Sequence, residues 1–379
     1  MGNSPAADSR AWVEVDLDII AHNAKILRSL LPDGCDLMAV VKADAYGHGA
    51  KAVSARLERE GIRAFAVATV SEGIDLREGG LSGEVLVMGY TSPADAELLC
   101  KNNLTQLAVD GAHARALDET GYSIRIHIAV DTGMHRLGIE YSDLAEIESV
   151  YACRNLTIEG IASHLASSDS ADPDDMVFTQ LQIGRFTGVV ESLANKGYSV
   201  GRRHIQASFG VLNYPDADCD YARTGIALYG VMSRYGATDT MHGLKPALAL
   251  RARIAEVRMI GAGESVSYGR TFTAEKAMKL ATVCIGYADG VPRQMSGKGG
   301  VCIVSGKTAP IVGRICMDLL MVDVTGAGPV SAGDVVTLIG TDSGNTIRCE
   351  DVAEASGTIT NDLLCRLGSR LPRVYLEAT

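Results

Sequence analysis

A single lysine ends an apolar run in the segment AVVKADAYGHG, residues 39–49. Tyr46 and His48 follow Lys42 in a turn that contains two glycines. A lysine just past a strand is usually solvated, and that is the simplest interpretation of Lys42. Partial burial would change its chemistry, because a lysine amine with a lowered pKa acts as a nucleophile, a Schiff-base partner or a general base. The choice depends on which other residues lie near this strand end.

Several later apolar runs also end in polar residues or glycines. Taken singly, Arg136 is more often a surface arginine, and His164 is more often a core histidine. An active site becomes the better interpretation if one fold brings these run ends together. The residues concerned are Asp131 and Arg136 in DTGMHRLG, His164 in ASHLASSD, Ser208 in ASFG, and Arg223, Gly225 and Ile226 in ARTGIALYG.

The pattern of elements up to residue 230 predicts such a fold. Short apolar runs alternate there with amphipathic helical patterns. The runs are predicted as strands at residues 37–41, 64–68, 85–88, 106–109, 124–130, 158–163, 204–207 and 221–224. Eight strands with intervening helices predict an α/β fold, a parallel TIM-like (β/α)8 barrel over residues 1–244, with its active site at the C-terminal strand ends. The residues above would then meet at one mouth.

The remaining segment, residues 245–379, has a different pattern. Strand-like runs such as ALALRARIAEVRMI and AMKLATVCIGYA are separated by glycine turns, without a long helix until the end. This pattern predicts a second, mostly β C-terminal domain.

Composition narrows the partners. The 379 residues are 47% hydrophobic and carry a formal net charge of −11, whereas nucleic acids and anionic membranes select basic surfaces. The nine cysteines include no C-x-x-C pair, which favours reduced thiols over a disulfide framework or a metal site. No segment is long and apolar enough to span a bilayer, and the opening MGNSPAADSR lacks the apolar region of a secretory signal. We therefore expect a cytoplasmic protein that binds neither nucleic acid nor membrane.

Small residues follow the seventh and eighth predicted strands, in ASFG and TGIALYG. Barrel enzymes often bind phosphate in this region through backbone N–H groups at a helix start. Small residues allow the backbone to approach a phosphate closely. A lysine on the first strand, facing such a cradle, suggests pyridoxal 5'-phosphate held by Lys42 as a Schiff base.

Seven segments together resemble the alanine racemase family in order and spacing. They are AVVKADAYGHG, DTGMHRLG, GIASHLASSD, ARTGIALYG, VSYGRTF, IGYADGVPR and GRICMDLLMVDV. The resemblance extends from about Trp12 to Tyr375. It implies a pyridoxal-phosphate isomerase that racemises a small amino acid by two-base proton transfer at Cα and supplies D-amino acids for cell-wall precursors. It also implies a head-to-tail homodimer with shared active sites.

The same resemblance implies roles for individual residues. Lys42 would bind the cofactor and exchange the α-proton on the D face, while Tyr268 would act on the L face from the other subunit. Arg223 would face the pyridine nitrogen beside His164, and the positive field of these two would lower the pKa of Tyr268. The other implied cofactor-binding residues are Tyr46, Ser208, Gly225, Ile226 and Asn361. The implied substrate-binding residues are Arg136, Tyr287, Cys316, Met317, Asp318 and again Asn361.

Two positions depart from the family pattern. The family usually has a lysine, often carbamylated, two residues before the aspartate of DTGM, and this chain has Ala129. Asn361 stands where the family has a tyrosine that narrows the pocket. The amide is smaller and can donate and accept hydrogen bonds, so the pocket would admit the side chain of serine. The alternative is that the change is neutral.

In this respect the chain resembles the racemase domain of the membrane-anchored serine racemases of glycopeptide (vancomycin) resistance. It would then be the cytoplasmic domain of a longer protein. A strict alanine racemase is the nearest alternative. A decarboxylase of the same barrel class would carry an acid where Arg223 lies, and a non-catalytic pyridoxal-phosphate carrier would lack the β domain that bears Tyr268 and Met317.

Overall fold

The computed structural model describes residues 9–378 of the chain. Most of the opening segment considered above for a secretory signal lies outside this range, as does Thr379. Within the described range, no helix is both long enough and apolar enough to cross a bilayer. Two large sheets organise the chain, and the first strand, β1 (Ala11–Asp16), belongs to the second of them.

The first sheet is the predicted parallel barrel, which the structure confirms. Its strands are β2 (Asp36–Val40), β3 (Ala64–Val67), β4 (Glu84–Val87), β5 (Thr105–Ala108), β6 (Ile124–Asp131), β8 (Leu156–Ala162), β9 (Arg202–His204) and β10 (Tyr221–Thr224). They follow the order β10–β2–β3–β4–β5–β6–β8–β9, and a two-residue strand, β7 (Ile139–Glu140), pairs with β6 outside this path. Backbone bonds from Asp220 N to Arg203 O (2.8 Å) and from Arg223 N to Gln206 O (3.1 Å) link the two ends and nearly close the barrel.

The barrel strands are continuous apolar runs in the sequence because both of their faces are covered: helices pack on the outer face and the opposite strands on the inner face. All four residues of β3 are buried, for example. One boundary differs from its prediction: the seventh strand, expected at residues 204–207, ends at His204. The chain leaves the sheet there because Ala207 is already the cap of the helix that begins at Ser208.

Helices follow most barrel strands and pack around them. They are α1 (Leu17–Ser29), α2 (Lys42–Tyr46), α3 (Ala50–Arg59), α4 (Val70–Glu78), α5 (Ala96–Lys101), α6 (Gly111–Asp118), α7 (Leu144–Val150), α8 (Pro173–Asn195) and α9 (Ser208–Asn213). Capping side chains fix several starts: Thr69 and Glu72 form a capping box at α4, and Asp172 caps α8 ahead of Pro173.

The second sheet confirms that the C-terminal segment is mostly β. The elements of this segment are β11 (Leu248–Ile260), β12 (Ser265–Val266), β13 (Phe272–Thr273), β14 (Met278–Val283), β15 (Val301–Val304), β16 (Lys307–Val312), β17 (Leu320–Asp323), β18 (Val335–Asp342), β19 (Asn345–Ile347), α10 (Cys349–Ser356), α11 (Thr360–Cys365) and β20 (Arg373–Leu376). The order is β19–β18–β15–β16–β17–β14–β11–β1–β20, with an added β18–β11 pairing, while β12 and β13 form a separate hairpin.

The strand β1, which the sequence analysis does not predict, joins the two ends of the described chain. It pairs antiparallel with β11, where Val15 lies opposite Leu248, and parallel with β20, where Val15 lies opposite Tyr375. The division at residues 244 and 245 stays a prediction, since the N-terminal strand shares a sheet with the C-terminal segment.

Candidate active site

A cavity of about 480 Å³ opens at the C-terminal end of the barrel strands. Its lining brings together residues from all eight barrel strand ends and one residue from the C-terminal segment. Among the predicted site residues, those that line it are Lys42, Tyr46, Arg136, His164, Ser208, Arg223, Gly225, Ile226 and Asn361. The convergence expected from the barrel pattern is thus observed for these side chains.

Lys42 is positioned by an unusual backbone turn. Residues 43–46 have φ values between 52° and 54°, a left-handed conformation that costs roughly 1–2 kcal/mol for each residue with a side chain. The carboxylate of Asp44 accepts a hydrogen bond from Ala50 N at 2.8 Å and helps to hold this turn. As a result Lys42 and Tyr46, four residues apart, both reach the cavity.

The environment of Lys42 stabilises the neutral amine relative to that of a solvated lysine. Burial lowers the pKa of Lys42, and the nearby positive charge of Arg136 lowers it further, while Cys365 and Glu72 act in the opposite direction. A lower pKa means that the neutral, nucleophilic form is populated at lower pH than for a solvated lysine. The simple interpretation of Lys42 as a solvated end residue is therefore wrong.

Arg223 lies buried on the cavity wall, held by neighbouring strand ends. Its NH2 group donates to Ser163 O at 2.6 Å and to His164 Nδ1 at 3.2 Å, and its NH1 group donates to His204 Nδ1 at 2.5 Å. Among the described residues, no acceptor is bonded to its Nε–H. Burial lowers the pKa of Arg223 to about 10, so the guanidinium stays charged at neutral pH.

His164 carries no charge at neutral pH. Burial lowers its pKa to about 3, with further lowering by Arg223, Arg136 and Lys42. A neutral imidazole supplies no positive field, so the expectation that His164 helps to lower the pKa of Tyr268 is wrong. Its Nδ1 accepts from Arg223, which leaves Nε2–H as a donor.

Two hydroxyl groups, of Ser208 after β9 and of Tyr46 after β2, line the cavity beside Gly225. Ser208 Oγ accepts the N–H groups of Gly225 and Ala227 at 3.0 and 3.2 Å, which leaves its own O–H to donate. A side chain at position 225 would meet the Tyr46 hydroxyl at 2.7 Å, so glycine is required for that tyrosine to reach the wall. Burial raises the pKa of Tyr46 and keeps it a donor.

Asn361 is the residue that the C-terminal segment adds to the cavity. Helix α11 packs closely on the turn after Lys42, because Gly47 there, with φ of 78°, approaches Leu364 O. Asn361 Oδ1 is buried and has no hydrogen-bond partner among the described residues. An unpaired buried amide oxygen is costly, and a ligand donor would satisfy it.

Arg136 and Ala129 both line the cavity, as the motif predicts. Within residues 9–378, no hydrogen bond or ion pair links Arg136 to another side chain. In this range, therefore, no side chain takes over the contact with Arg136 that the family's lysine would make from position 129. The side chain of Arg136 is exposed at the cavity mouth. It is available to pair with a substrate carboxylate.

Five predicted site residues lie outside this cavity, on the surface of the C-terminal segment. Tyr268, Tyr287 and Met317 are 69%, 41% and 52% exposed. Backbone hydrogen bonds join the loop of Tyr287 to the loop of Met317: Tyr287 N donates to Cys316 O and Ala288 N donates to Met317 O, both at 3.0 Å. Asp318 pairs with Arg370 at 2.6 Å. One chain alone therefore does not bring Tyr268, Tyr287, Cys316, Met317 and Asp318 to Lys42.

His204 is a cavity residue that the sequence analysis treats only as part of a strand. It is buried and touches Arg223, at the C-terminal end of β9. Its position in the sequence could have identified it. His204 begins the run HIQAS at the end of a barrel strand, and barrel strand ends meet at the same mouth.

Comparison with known proteins decides the family. The model of the alanine racemase N-terminal domain matches residues 15–233, and that of the alanine racemase C-terminal domain matches residues 247–375. The chain belongs to the alanine racemase family. This family member is 40% identical to the alanine racemase of Geobacter sp. (strain M21), with 97% of this chain and 100% of that protein covered.

Two similar relatives are longer proteins. The chain is 41% identical to an amino-acid racemase of Enterococcus faecalis over 97% of its own length, and it spans 52% of that protein. It is 39% identical to the serine/alanine racemase of Enterococcus gallinarum over 96% of its length, and it spans 51% of that protein. The chain thus spans about half the length of these two relatives.

Solved family structures share the architecture. The alanine racemase of E. faecalis superposes with a TM-score of 0.89 at 32% identity, over 97% of this chain and 98% of that one. The alanine racemase of Bartonella henselae, described with covalently bound pyridoxal phosphate, gives 0.85 at 28% identity, over 97% and 100%. The barrel and β segment of this family member are therefore those of its relatives.

Proposed function

We propose that the protein is a pyridoxal-phosphate-dependent racemase that interconverts L- and D-alanine and L- and D-serine. The observation that carries this proposal is the partly buried Lys42 amine, with its lowered pKa, in one cavity with Arg223 and the hydroxyl groups of Tyr46 and Ser208. The two hydroxyl groups fit the anionic phosphate, and the amine fits the aldehyde. The D-amino acids would serve cell-wall precursors.

Pyridoxal phosphate, when bound, supplies an electron sink that makes the α-proton of an amino acid acidic. The chain's own residues would do the rest. Lys42 would anchor the cofactor and hold or return a proton on the D face. Arg223, always a donor, would face the pyridine nitrogen without protonating it, which keeps the sink weak and limits side reactions. Arg136 would hold the substrate carboxylate.

Racemisation is separated from the other functions by its product. Incubation with L-alanine or L-serine and pyridoxal phosphate, followed by chiral chromatography, should show the D-enantiomer at up to an equal amount. A decarboxylase would release the amine instead, and a cofactor carrier would leave the amino acid unchanged. Either of those outcomes would contradict the proposal.

Serine is proposed as a substrate because of Asn361. Asn361 lines the cavity at the position of the family tyrosine, and its Oδ1 has no hydrogen-bond partner among the described residues. A site that hydrogen-bonds a substrate hydroxyl discriminates strongly in a closed pocket. The relative from E. gallinarum, which is named a serine/alanine racemase, supports this direction.

Replacement of Asn361 by tyrosine should shift the preference toward alanine. The ring would fill the space for the hydroxymethyl group. The ratio of kcat/KM for L-serine to that for L-alanine should therefore fall by about 10–200-fold, which corresponds to about 1–3 kcal/mol in transition-state binding. Asn361→Ala is the matched control: it keeps the space and removes only the amide. A wild-type enzyme inactive on serine would make the protein a strict alanine racemase. Equal losses on both substrates in Asn361→Tyr would show that Asn361 does not determine the preference.

We further propose a homodimer in which Tyr268 of one subunit completes the cavity of the other. Two-base racemisation needs bases on opposite faces, and the cavity of one chain supplies Lys42 but not Tyr268. The exposed cluster around Tyr268, Tyr287 and Met317 supports this proposal, because exposed apolar patches of this kind commonly mark interfaces.

Mixing two inactive variants tests the shared site. A heterodimer of a Lys42→Ala subunit and a Tyr268→Phe subunit has one site with both bases and one with neither. Random exchange of subunits should therefore restore roughly a quarter of the wild-type activity in a closed two-fold dimer. Each variant incubated alone is the control. If the mixture stays as inactive as its parents after proven exchange, the two bases come from the same chain.

A further inference from the structure

Two buried histidines connect Arg223 to the opposite end of the barrel. His204 Nδ1 lies 2.5 Å from Arg223 NH1, and His204 Nε2 lies 2.7 Å from His127 Nδ1. His127 Nε2 lies 3.6 Å from Glu84 Oε1. Glu84 begins β4, at the end of the barrel away from the active-site cavity. The four side chains thus form a continuous line through the barrel interior.

The direction of the hydrogen bonds along this line follows from Arg223. A guanidinium has no acceptor atom, so His204 Nδ1 must accept and His204 must carry its proton on Nε2. That N–H donates to His127 Nδ1, so His127 in turn carries its proton on Nε2. The N–H of His127 then faces Glu84. Each histidine has only one tautomer compatible with its neighbours.

Both histidines are neutral, as this arrangement requires. Burial lowers the pKa of His204 well below its ordinary value, and Arg223 and His127 lower it further. Burial likewise lowers the pKa of His127 to about 3, with smaller contributions from Arg223 and Arg125. A protonated His204 could not accept from Arg223, so the charged form is excluded by geometry as well.

At the far end of this line, the carboxyl group that faces His127 Nε2 is that of Glu84. His127 Nε2 and Glu84 Oε1 are both buried and both lack a hydrogen-bond partner. Two unpaired complementary atoms 3.6 Å apart are costly, and a shift of a few tenths of an ångström would bond them. The other oxygen of Glu84 accepts from the Tyr221 hydroxyl at 2.9 Å, which fixes the carboxyl group.

We propose that Glu84 is a positioning residue for Arg223: it is the terminal acceptor of a one-directional hydrogen-bond relay through His127 and His204. The relay holds both histidines in the Nε2-protonated tautomer and so keeps His204 Nδ1 available to Arg223. Arg223 is thereby anchored on the side away from the cofactor position. The part of this inference that concerns catalysis rests on the proposed racemase function.

Nitrogen NMR on the protein with ¹⁵N-labelled histidine rings tests the relay directly. The chain has eight histidines, and a His127→Asn variant assigns the signals of that ring. We expect wild-type His127 and His204 to show protonated Nε2 and unprotonated Nδ1. A wild-type His204 that is protonated on Nδ1 would overturn the proposal without any variant.

The Glu84→Ala variant removes the oxygen that faces His127 Nε2, whereas Glu84→Gln keeps an amide oxygen that can accept a hydrogen bond there. In Glu84→Ala we expect the His127 ring signals to shift or broaden, and kcat to fall about 10-fold with KM changed less than about 2-fold, as for other residues that orient an active-site group. Glu84→Gln should restore the His127 signals and most of kcat. Thermal unfolding confirms that each variant is folded.

Glu159→Gln is the matched control. Glu159 lines the same depression at this end of the barrel as Glu84 and pairs with Arg125 at 3.7 Å, without bonding to His127. The Glu159→Gln variant should leave both the histidine NMR spectra and kcat unchanged. Unchanged His127 and His204 signals in Glu84→Ala would overturn the relay. Because the NMR result needs no catalysis, it stands even if the racemase proposal fails.

Discussion

Lys42→Ala should abolish both cofactor attachment and racemisation. The alanine side chain cannot bind an aldehyde or exchange a proton, so the visible absorbance of lysine-bound cofactor should disappear. Activity should fall by more than about 10⁴-fold, beyond the usual effect of removing a single general base. Absorbance spectra after gel filtration and the rate of D-alanine formation measure the two effects.

The control and rescue for this variant are specific. Lys51→Ala removes an exposed lysine outside the cavity, whose Nζ lies 3.8 Å from Asp75 and 3.9 Å from Glu78, and should leave spectrum and rate unchanged. Added methylamine should restore part of the lost rate in Lys42→Ala by replacing the missing amine. A variant at position 42 that keeps both the absorbance band and the rate would contradict the assignment of Lys42.

Tyr268→Phe should separate the two faces of the reaction. Removal of the phenolic group should lower kcat/KM for racemisation by about 10²–10⁴-fold while the cofactor stays bound. The loss must be equal in both directions, because the two enantiomers have the same free energy. The faces are distinguished instead by isotope exchange, since Lys42 remains in place.

In D₂O, Tyr268→Phe should incorporate deuterium at Cα of D-alanine without converting it to L-alanine. L-alanine should keep its α-proton, because the base on its face is missing. Tyr122→Phe, at an exposed tyrosine before β6, should behave like wild type. Exchange of L-alanine at the normal rate in Tyr268→Phe would show that Tyr268 is only part of the pocket wall.

The barrel and its site could be predicted because the relevant residues lie at strand ends. Lys42, His164 and Arg223 follow buried apolar runs, and a parallel barrel leaves only one place for such ends to meet. The β segment was predictable as a class for the same reason, from strand-like runs and glycine turns. The first strand, β1, was missed because its partners are far along the chain, and no local pattern identifies them.

The electrostatics of the site could not be predicted from residue types alone. His164 was expected to contribute positive charge, whereas burial beside Arg223 keeps it neutral. The line from Arg223 to Glu84 depends on which interior positions of β4, β6 and β9 face one another, and strand register fixes that. Tyr268 was assigned from resemblance alone, and in the single chain it lies outside the cavity.

The position of β1 has a consequence for biosynthesis. Its partner β11 leaves the ribosome more than two hundred residues later, and its partner β20 leaves it more than three hundred residues later. Until then β1 is an apolar strand with unpaired edges, a state prone to aggregation. The barrel strands can pair first, but β1 must wait until β20 has been synthesised. Rapid synthesis of this chain therefore exposes β1 to association with other chains, and a chaperone that covers it would reduce that loss.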